Sequence, residues 1–401
     1  MSTSKGGGEE EVGAAFDRDL HVQFFVSMLH ELPSEYEGQD VNRLTLAYFA
    51  ISGLHILNAL HLVPKKEIIE WIYGLQVLPS SCATHENVRT TQLQLPWGSG
   101  GLEGVLLPVL GLATMCNLGN YCSTSFRTGV MYGFRGSPSI GIKMNSLGVT
   151  PSLHDGGHLA MTYSALATLK VLGDDLSRVY REGIISSMRM LQQPNGSFSP
   201  LSLGAETDLR FVYCAAAICS LLQDWSGMDS SMAIDYIRQS QSYDQGFGLS
   251  PGLESHGGAT YCAIAALKLM GQIVEDSTTC EITSPVVDVQ ALIHWCSQKQ
   301  AHSGGFRGRA NKDADSCYAF WIGGSLQILG AFKFCDKMAL RSFLLTCQSK
   351  YGGFSKLPDE WPDILHAYYG VCGFSLLKEP GLDPLCCELG IPVRTIYASP
   401  A

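Results

Sequence analysis

The chain has 401 residues, 46% of them hydrophobic and 16% charged, so much of it must lie inside a core. A net charge of −10 argues against nucleic acid as a partner. Its 14 cysteines follow no framework spacing and no apolar leader precedes them, so reduced thiols in the cytoplasm, without stable membrane insertion, are expected.

Residues 1–15, rich in Gly and Glu, read as a disordered tail. Over 16–78 apolar residues recur every three or four positions, which predicts helices, with Asp40 placed to cap the second and Pro64 between the second and third. The texture then changes. Between His85 and Met131 there is no Lys or Asp, and the apolar stretch 105–118 is broken by Pro108 and Gly111 and too short to span a bilayer. Gly98 to Gly104 lacks the Lys-Ser/Thr of a phosphate loop. We read about 81–130 as an insertion foreign to the fold: non-native translated sequence such as a retained intron, or a lid or targeting loop.

From Tyr132 an internal repeat runs to about residue 380. Each unit has a Gly-Phe-type turn (Gly133-Phe134, Gly196-Ser-Phe198, Gly246-Phe247, Gly305-Phe306, Gly353-Phe354) and then a helix rich in small residues. Equivalent aromatics Tyr163, Tyr213, Tyr261, Phe320 and Tyr368 are separated by 50, 48, 59 and 48 residues, room for two helices and two loops. A degenerate first unit lies around Tyr48. Helices rich in Ala, Gly and Cys suit an inner layer, and amphipathic stretches such as 232–241 and 289–298 suit an outer one. The expected fold is all-α: an α/α toroid, a closed barrel of about six helical hairpin repeats over 16–380, followed by a C-terminal tail at 381–401.

Equivalent helix starts share one rim, so His256, Asp315, Cys317 and His366 should converge there. A carboxylate, a thiolate and an imidazole leave a tetrahedral zinc one open position, the pattern of a catalytic site. Taken singly, Cys317 reads as core packing, His366 as a wall residue and Asp315 as an N-cap; only their joint placement favours a metal. Arg309 and Lys312, with His256 and Tyr318, could clamp a diphosphate, or form a solvated basic loop. Lys356, after the last Gly-Gly-Phe turn, would reach the same rim. Arg307 has no role in this scheme. Some repeat aromatics could line an apolar funnel, while others are core.

The Gly-Gly-Phe turns, D-S-C at 315–317, L-H-A-Y at 365–368 and L-E-S-H-G-G at 253–258 resemble the β subunits of the protein prenyltransferases, above all the geranylgeranyltransferase type I branch. The resemblance covers about 17–80 and 132–377. It implies an enzyme that joins a separate α subunit and moves a geranylgeranyl group from geranylgeranyl diphosphate to the Cys of a C-terminal CaaX sequence, commonly ending in Leu. Rho/Rac-type small GTPases and G-protein γ subunits carry such sequences. It also implies zinc on Asp315, Cys317 and His366, and diphosphate on His256, Arg309, Lys312 and Tyr318 with Arg210 nearby. Thr45, Phe49, Trp321 and Leu365 would belong to the isoprenoid and CaaX pocket. Thr45 stands where the farnesyl enzyme has Trp, which leaves room for a fourth isoprene unit. Lys356 stands where that enzyme has an Asp associated with magnesium, so Mg²⁺ is not expected here. The rival readings are a Rab geranylgeranyltransferase or farnesyltransferase β subunit, or a non-catalytic isoform that binds the α subunit. No acid motif of a terpene cyclase is present.

Overall fold

The computed structural model of the protein describes residues 15–79, 131–138, 144–145, 148–149, 156–202 and 205–397. The expected insertion at 81–130 lies outside them, as does nearly all of the N-terminal tail. Six inner helices, α2 (Arg43–Ile56), α4 (Leu159–Leu172), α6 (Leu209–Leu222), α8 (Gly257–Leu269), α10 (Tyr318–Ile328) and α12 (Ile364–Leu376), pack each against the next. Because α12 also packs against α2, the array closes into the expected toroid.

An inner helix has neighbours on every side, which explains its composition. In α6 the run Cys214, Ala215, Ala216, Ala217, Ile218 and Cys219 is wholly buried. Small residues let such helices approach: a Cβ on Gly373 of α12 would lie 2.7 Å from that of Ala319 in α10. The outer helices α3 (Lys65–Gly74), α5 (Arg181–Leu191), α7 (Ser230–Gln239), α9 (Val289–Ser297) and α11 (Lys337–Thr346) are one-sided. In α11, Leu340, Phe343 and Leu344 are buried at helical spacing, and Asp336 caps the start by accepting from Ala339 N at 3.0 Å.

The sixth outer helix is the first in the chain, α1 (Arg18–His30). Three of the glycine turns lean on the outer helix that follows them: Gly196 on Met232 of α7, Gly246 on Trp295 of α9, Gly304 on Ala339 of α11. Gly352, with φ +82°, leans in the same way on α1, where a Cβ would lie 2.2 Å from the Leu20 carbonyl. The N-terminal stretch is therefore not one degenerate unit, because α1 completes the last repeat and α2 begins the first. His21 fixes this seam. Its Nδ1 accepts from Gly353 N at 3.0 Å, and its Nε2 donates to Gln348 Oε1 at 3.0 Å. Asp40 does not cap α2. It lies in a 3-10 stretch, Ser34–Asn42, and pairs with Arg43 at 2.7 Å.

Neighbouring repeats are also linked by main chain near the helix starts. Leu44 N donates to Gly136 O (3.1 Å), Leu159 N to Pro200 O (2.9 Å), Leu209 N to Leu249 O (3.0 Å), Gly257 N to Gly308 O (2.7 Å) and Ser316 N to Lys356 O (3.1 Å). At the seam Tyr36 Oη stands in for the carbonyl and accepts from Ile364 N at 3.0 Å.

The residues after 380, expected as a tail, are instead packed. Asp383 N donates to Ile56 O at the end of α2, and the chain turns inward as a hairpin, Leu385–Cys386 paired with Ile391–Pro392. Its tip meets the repeat tyrosines: Tyr48 Oη donates to Gly390 O at 2.5 Å, Tyr163 Oη to Leu389 O at 2.8 Å and Tyr261 Oη to Cys387 O at 2.7 Å. Tyr368 also donates to Gly390 O, and Tyr213 donates to Tyr163 Oη at 3.3 Å. Gly390, at φ +62°, sits so centrally that a Cβ would meet Tyr48 Oη at 2.9 Å, Tyr163 Oη at 3.3 Å and Phe320 Cζ at 3.9 Å. The hairpin tip thus forms a floor on the ring axis.

Candidate active site at the rim of the ring

Four of the inner helices begin near side chains that accept from the backbone two residues on. His158 accepts from Ala160 N (3.2 Å), Asp208 from Arg210 N (2.9 Å), His256 from Gly258 N (3.1 Å) and Asp315 from Cys317 N (2.9 Å). Asp315 thus bonds the residue just before α10, and it also belongs to a candidate metal group. Its carboxylate, the Cys317 thiol and the His366 imidazole are all buried, with one ligand atom of each within 4.8 Å of the others, a group able to hold a metal ion.

His366 is oriented by a residue the sequence reading missed. Asp363 Oδ1 accepts from His366 N at 2.9 Å, and Oδ2 lies 2.6 Å from Nδ1. Nδ1 is thus the donor to Asp363, and Nε2 is turned toward the other two ligands. Nε2 is buried and makes no hydrogen bond, although Asp315 Oδ1 is 3.3 Å away. A buried lone pair facing a carboxylate is repulsive unless a proton or a metal ion stands between them. Burial pushes the imidazole pKa down, but Asp363 and Asp315 outweigh that and raise it to about 9. Burial also raises the Asp315 carboxyl, and the contact with His366 more than offsets it. The pocket demands positive charge, which a soft-to-borderline divalent ion on a carboxylate, a thiolate and an imidazole would meet. The D-x-x-H spacing at the start of α12 was the signal that could have revealed Asp363.

The expected anion-binding residues divide by burial. His256 Nδ1 is occupied by Gly258 N, so Nε2 carries the proton and donates to Tyr318 Oη at 2.9 Å. The Tyr318 hydroxyl hydrogen is then available to a ligand. Burial first, and Arg309 second, hold His256 below its ordinary pKa, so it is neutral near pH 7. Arg309 pairs with Glu254 at 3.0 Å, both partly exposed, and Lys312 is exposed on the same loop. A surface pair of that kind is worth about 0–1 kcal/mol, so an arriving dianion can replace Glu254. Arg210 differs. It is buried, held by both oxygens of Asp208 (2.5–3.0 Å) and by Glu206 at 3.1 Å. Breaking a buried pair costs roughly 3–5 kcal/mol, so Arg210 is no free cation. Lys356 is half-buried beside the ligand turn, its carbonyl bound to Ser316 N. Arg307 bridges Ala314 and leaves its Nε buried without a hydrogen bond.

The residues expected in the pocket lie on α2 (Thr45, Phe49), α10 (Trp321) and α12 (Leu365). Thr45 Oγ1 lies 3.1 Å from Ser164 Oγ across the α2–α4 contact. Phe49 stacks on Tyr368 (5.2 Å), and Trp321 packs on Tyr369 (4.4 Å) and Tyr261 (5.1 Å). Leu365 is buried next to His366.

Comparison with known proteins bears on this geometry. Residues 16–391 match the model of the prenyltransferase alpha-alpha toroid domain. The Arabidopsis thaliana geranylgeranyl transferase type-1 subunit beta is 47% identical over 380 residues, 95% of this chain and 90% of that protein. The Dictyostelium discoideum protein of the same name is 32% identical, over 96% of this chain and 97% of its own length. Among solved structures, the Candida albicans protein geranylgeranyltransferase-I complexed with GGPP has a TM-score of 0.71 at 21% identity, covering 95% of this chain and 97% of that one, a likeness of fold. The chain belongs to the protein prenyltransferase β-subunit family, within its geranylgeranyl transferase type-1 branch, and is an enzyme of that class. No described helix is long and apolar enough to cross a membrane, and the described cysteines are free thiols.

Proposed function

We propose that this chain is the catalytic β subunit of a zinc-dependent protein geranylgeranyltransferase type I. It works with a separate α subunit in the cytoplasm and transfers geranylgeranyl from its diphosphate to the Cys thiol of CaaX sequences ending preferably in Leu. The observation that carries the reading is the buried group of Asp315, Cys317 and His366, whose ligand atoms all lie within 4.8 Å of one another. Those three residues would hold the zinc, which when bound supplies a low pKa to a coordinated substrate thiol.

The rest follows from the chain's own groups. Asp363 keeps the His366 proton on Nδ1. Phe49, Phe320, Trp321 and Tyr369 form a continuous aromatic wall that excludes water and lays out the isoprenoid chain. Thr45 leaves room where a larger residue would shorten the tunnel. The bond between the first isoprenoid carbon and the diphosphate oxygen breaks as the carbon–sulfur bond forms, the thiol proton having gone to solvent. The leaving diphosphate takes hydrogen bonds from Tyr318, Arg309 and Lys312, and Lys356 supplies positive charge in place of Mg²⁺. The test is transfer of labelled geranylgeranyl or farnesyl to a Leu-ending CaaX peptide by the αβ complex, with and without Mg²⁺. Geranylgeranyl transfer in zinc alone supports the reading. Farnesyl preference, or no transfer without Mg²⁺, overturns it.

A further inference from the structure

We propose that Ser316 is a positioning residue that fixes the candidate metal ligands against the hairpin carrying Lys356, an inference that rests on the metal-centred reading above. Five main-chain links of the same kind join neighbouring repeats near their helix starts. Their donor residues are Leu44, Leu159, Leu209, Gly257 and Ser316. The first four have no side chain able to add to the link. Ser316 does: it is fully buried, and its Oγ donates to Ser355 O at 2.7 Å while its N donates to Lys356 O at 3.1 Å. Two successive carbonyls are thus tied to one residue, and that residue sits between Asp315 and Cys317.

The segment so held is itself braced. Ser355 Oγ lies 2.6 Å from Leu357 O and 3.1 Å from Cys347 O, which share its one hydrogen. Its hairpin pairs Phe354 with Asp363, the carboxylate that orients His366. One buried hydroxyl therefore connects the turn bearing two ligands with the hairpin that carries Lys356 and sets the third. The doubled link occurs in the one repeat where a small displacement would change the spacing between a bound thiolate and the charge that receives the leaving group. Elsewhere a single link suffices. A buried polar network of this kind is costly unless fully satisfied, and here each hydroxyl has its acceptor.

The experiment compares the αβ complex carrying wild-type chain, Ser316→Ala and Ser325→Ala, each loaded with Co²⁺ or Zn²⁺. Ser325 is a buried serine on α10 whose hydroxyl only bonds the Trp321 carbonyl of its own helix at 2.7 Å, so it reports the cost of losing any buried hydroxyl. Ser316→Ala should weaken metal binding about 10-fold in chelator competition, as losing an outer-shell contact does. It should also shift the Co²⁺ ligand-field bands, and lower kcat while leaving KM for geranylgeranyl diphosphate unchanged. Ser325→Ala should lower Tm alone. The proposal is overturned if Ser316→Ala keeps the wild-type metal affinity and spectrum, or loses no more affinity than Ser325→Ala. A wild-type complex that takes up no cobalt overturns the metal reading and this proposal together.

Discussion

Two levels of the inner helices, their starts and a layer five residues further in, obey opposite rules. At the floor, the equivalent positions are nearly uniform: Tyr48, Tyr163, Tyr213, Tyr261 and Tyr368, with Phe320 the exception, converge on the carbonyls of the C-terminal hairpin. At the rim, five residues earlier, His158, Asp208, His256, Asp315 and Asp363 differ in chemistry, although each accepts a hydrogen bond from its own helix start. Where the repeats agree they build the ring; where they diverge they build the site. The cap is what makes divergence cheap, since His and Asp both satisfy the exposed helix N–H and leave another atom free for a ligand. Changes at the rim should therefore alter metal and catalysis with little loss of fold, and changes at the floor the reverse.

The sharpest break of that separation would come from the metal ligands. His366→Ala should cost more in metal affinity than the roughly 100-fold typical of outer-shell substitutions, and should abolish transfer, while far-UV circular dichroism stays native. Retained metal at wild-type affinity would place the site elsewhere. Next in size is Lys356→Asp. Replacing one cation that stabilises the leaving group should cost about 3 kcal/mol, roughly 100-fold in kcat without Mg²⁺, with much of the rate returning when Mg²⁺ is added. An unchanged rate in EDTA-washed, zinc-loaded complex would remove Lys356 from the mechanism.

The same contrast explains what the sequence made legible. The toroid could be read from the Gly-Phe turns and the aromatic spacing, because repeated geometry imposes repeated residues. The candidate metal trio could be read because a carboxylate, a thiol and an imidazole fall together at the starts of two neighbouring inner helices. The place of α1 could not, since its partners Gln348 and Gly353 lie more than 300 residues away and α1 carries no repeat mark. Nor could the floor, because residues 387–390 contribute carbonyls, which every residue type has. Arg210 and Arg309 look alike as letters; only burial separates the neutralised cation from the available one.

The seam offers a third test, through pH. His21 is buried with its Nδ1 already accepting from Gly353 N, so a second ring proton has no acceptor. Burial pulls its pKa from 6.5 to about 4, against smaller opposing effects of Gln348 and Asp17. The unfolded chain therefore binds more protons than the folded one between those values. His21 leaves stability unaffected above about pH 6.5 and costs increasingly more as pH falls toward 4, reaching about 3 kcal/mol at 1.36 kcal/mol per pKa unit. His21→Phe, which retains a ring to stack on Phe354, should flatten the urea-derived stability between pH 6.5 and pH 4 relative to wild type. An equal slope in both proteins would assign the acid sensitivity to other groups.

The smallest effect lies at the floor and separates two tyrosines that share one network. Tyr163 donates to a main-chain carbonyl, Leu389 O, whereas Tyr213 donates to the Tyr163 hydroxyl. Tyr163→Phe strips a buried carbonyl of its donor and should cost about 1–3 kcal/mol. Tyr213→Phe removes only a donor to the Tyr163 hydroxyl, which keeps its own bond to Leu389 O, and should cost nearer 0.5–1.5 kcal/mol, about the net worth of one hydrogen bond. Both values are read from urea unfolding. Metal affinity should match wild type in each, because the affected atoms bond to the C-terminal hairpin and to one another, not to the rim. A loss of metal affinity in Tyr163→Phe as large as its loss of stability would mean that the floor holds the rim in place, and that the inner helices cannot be divided into a building level and a working level.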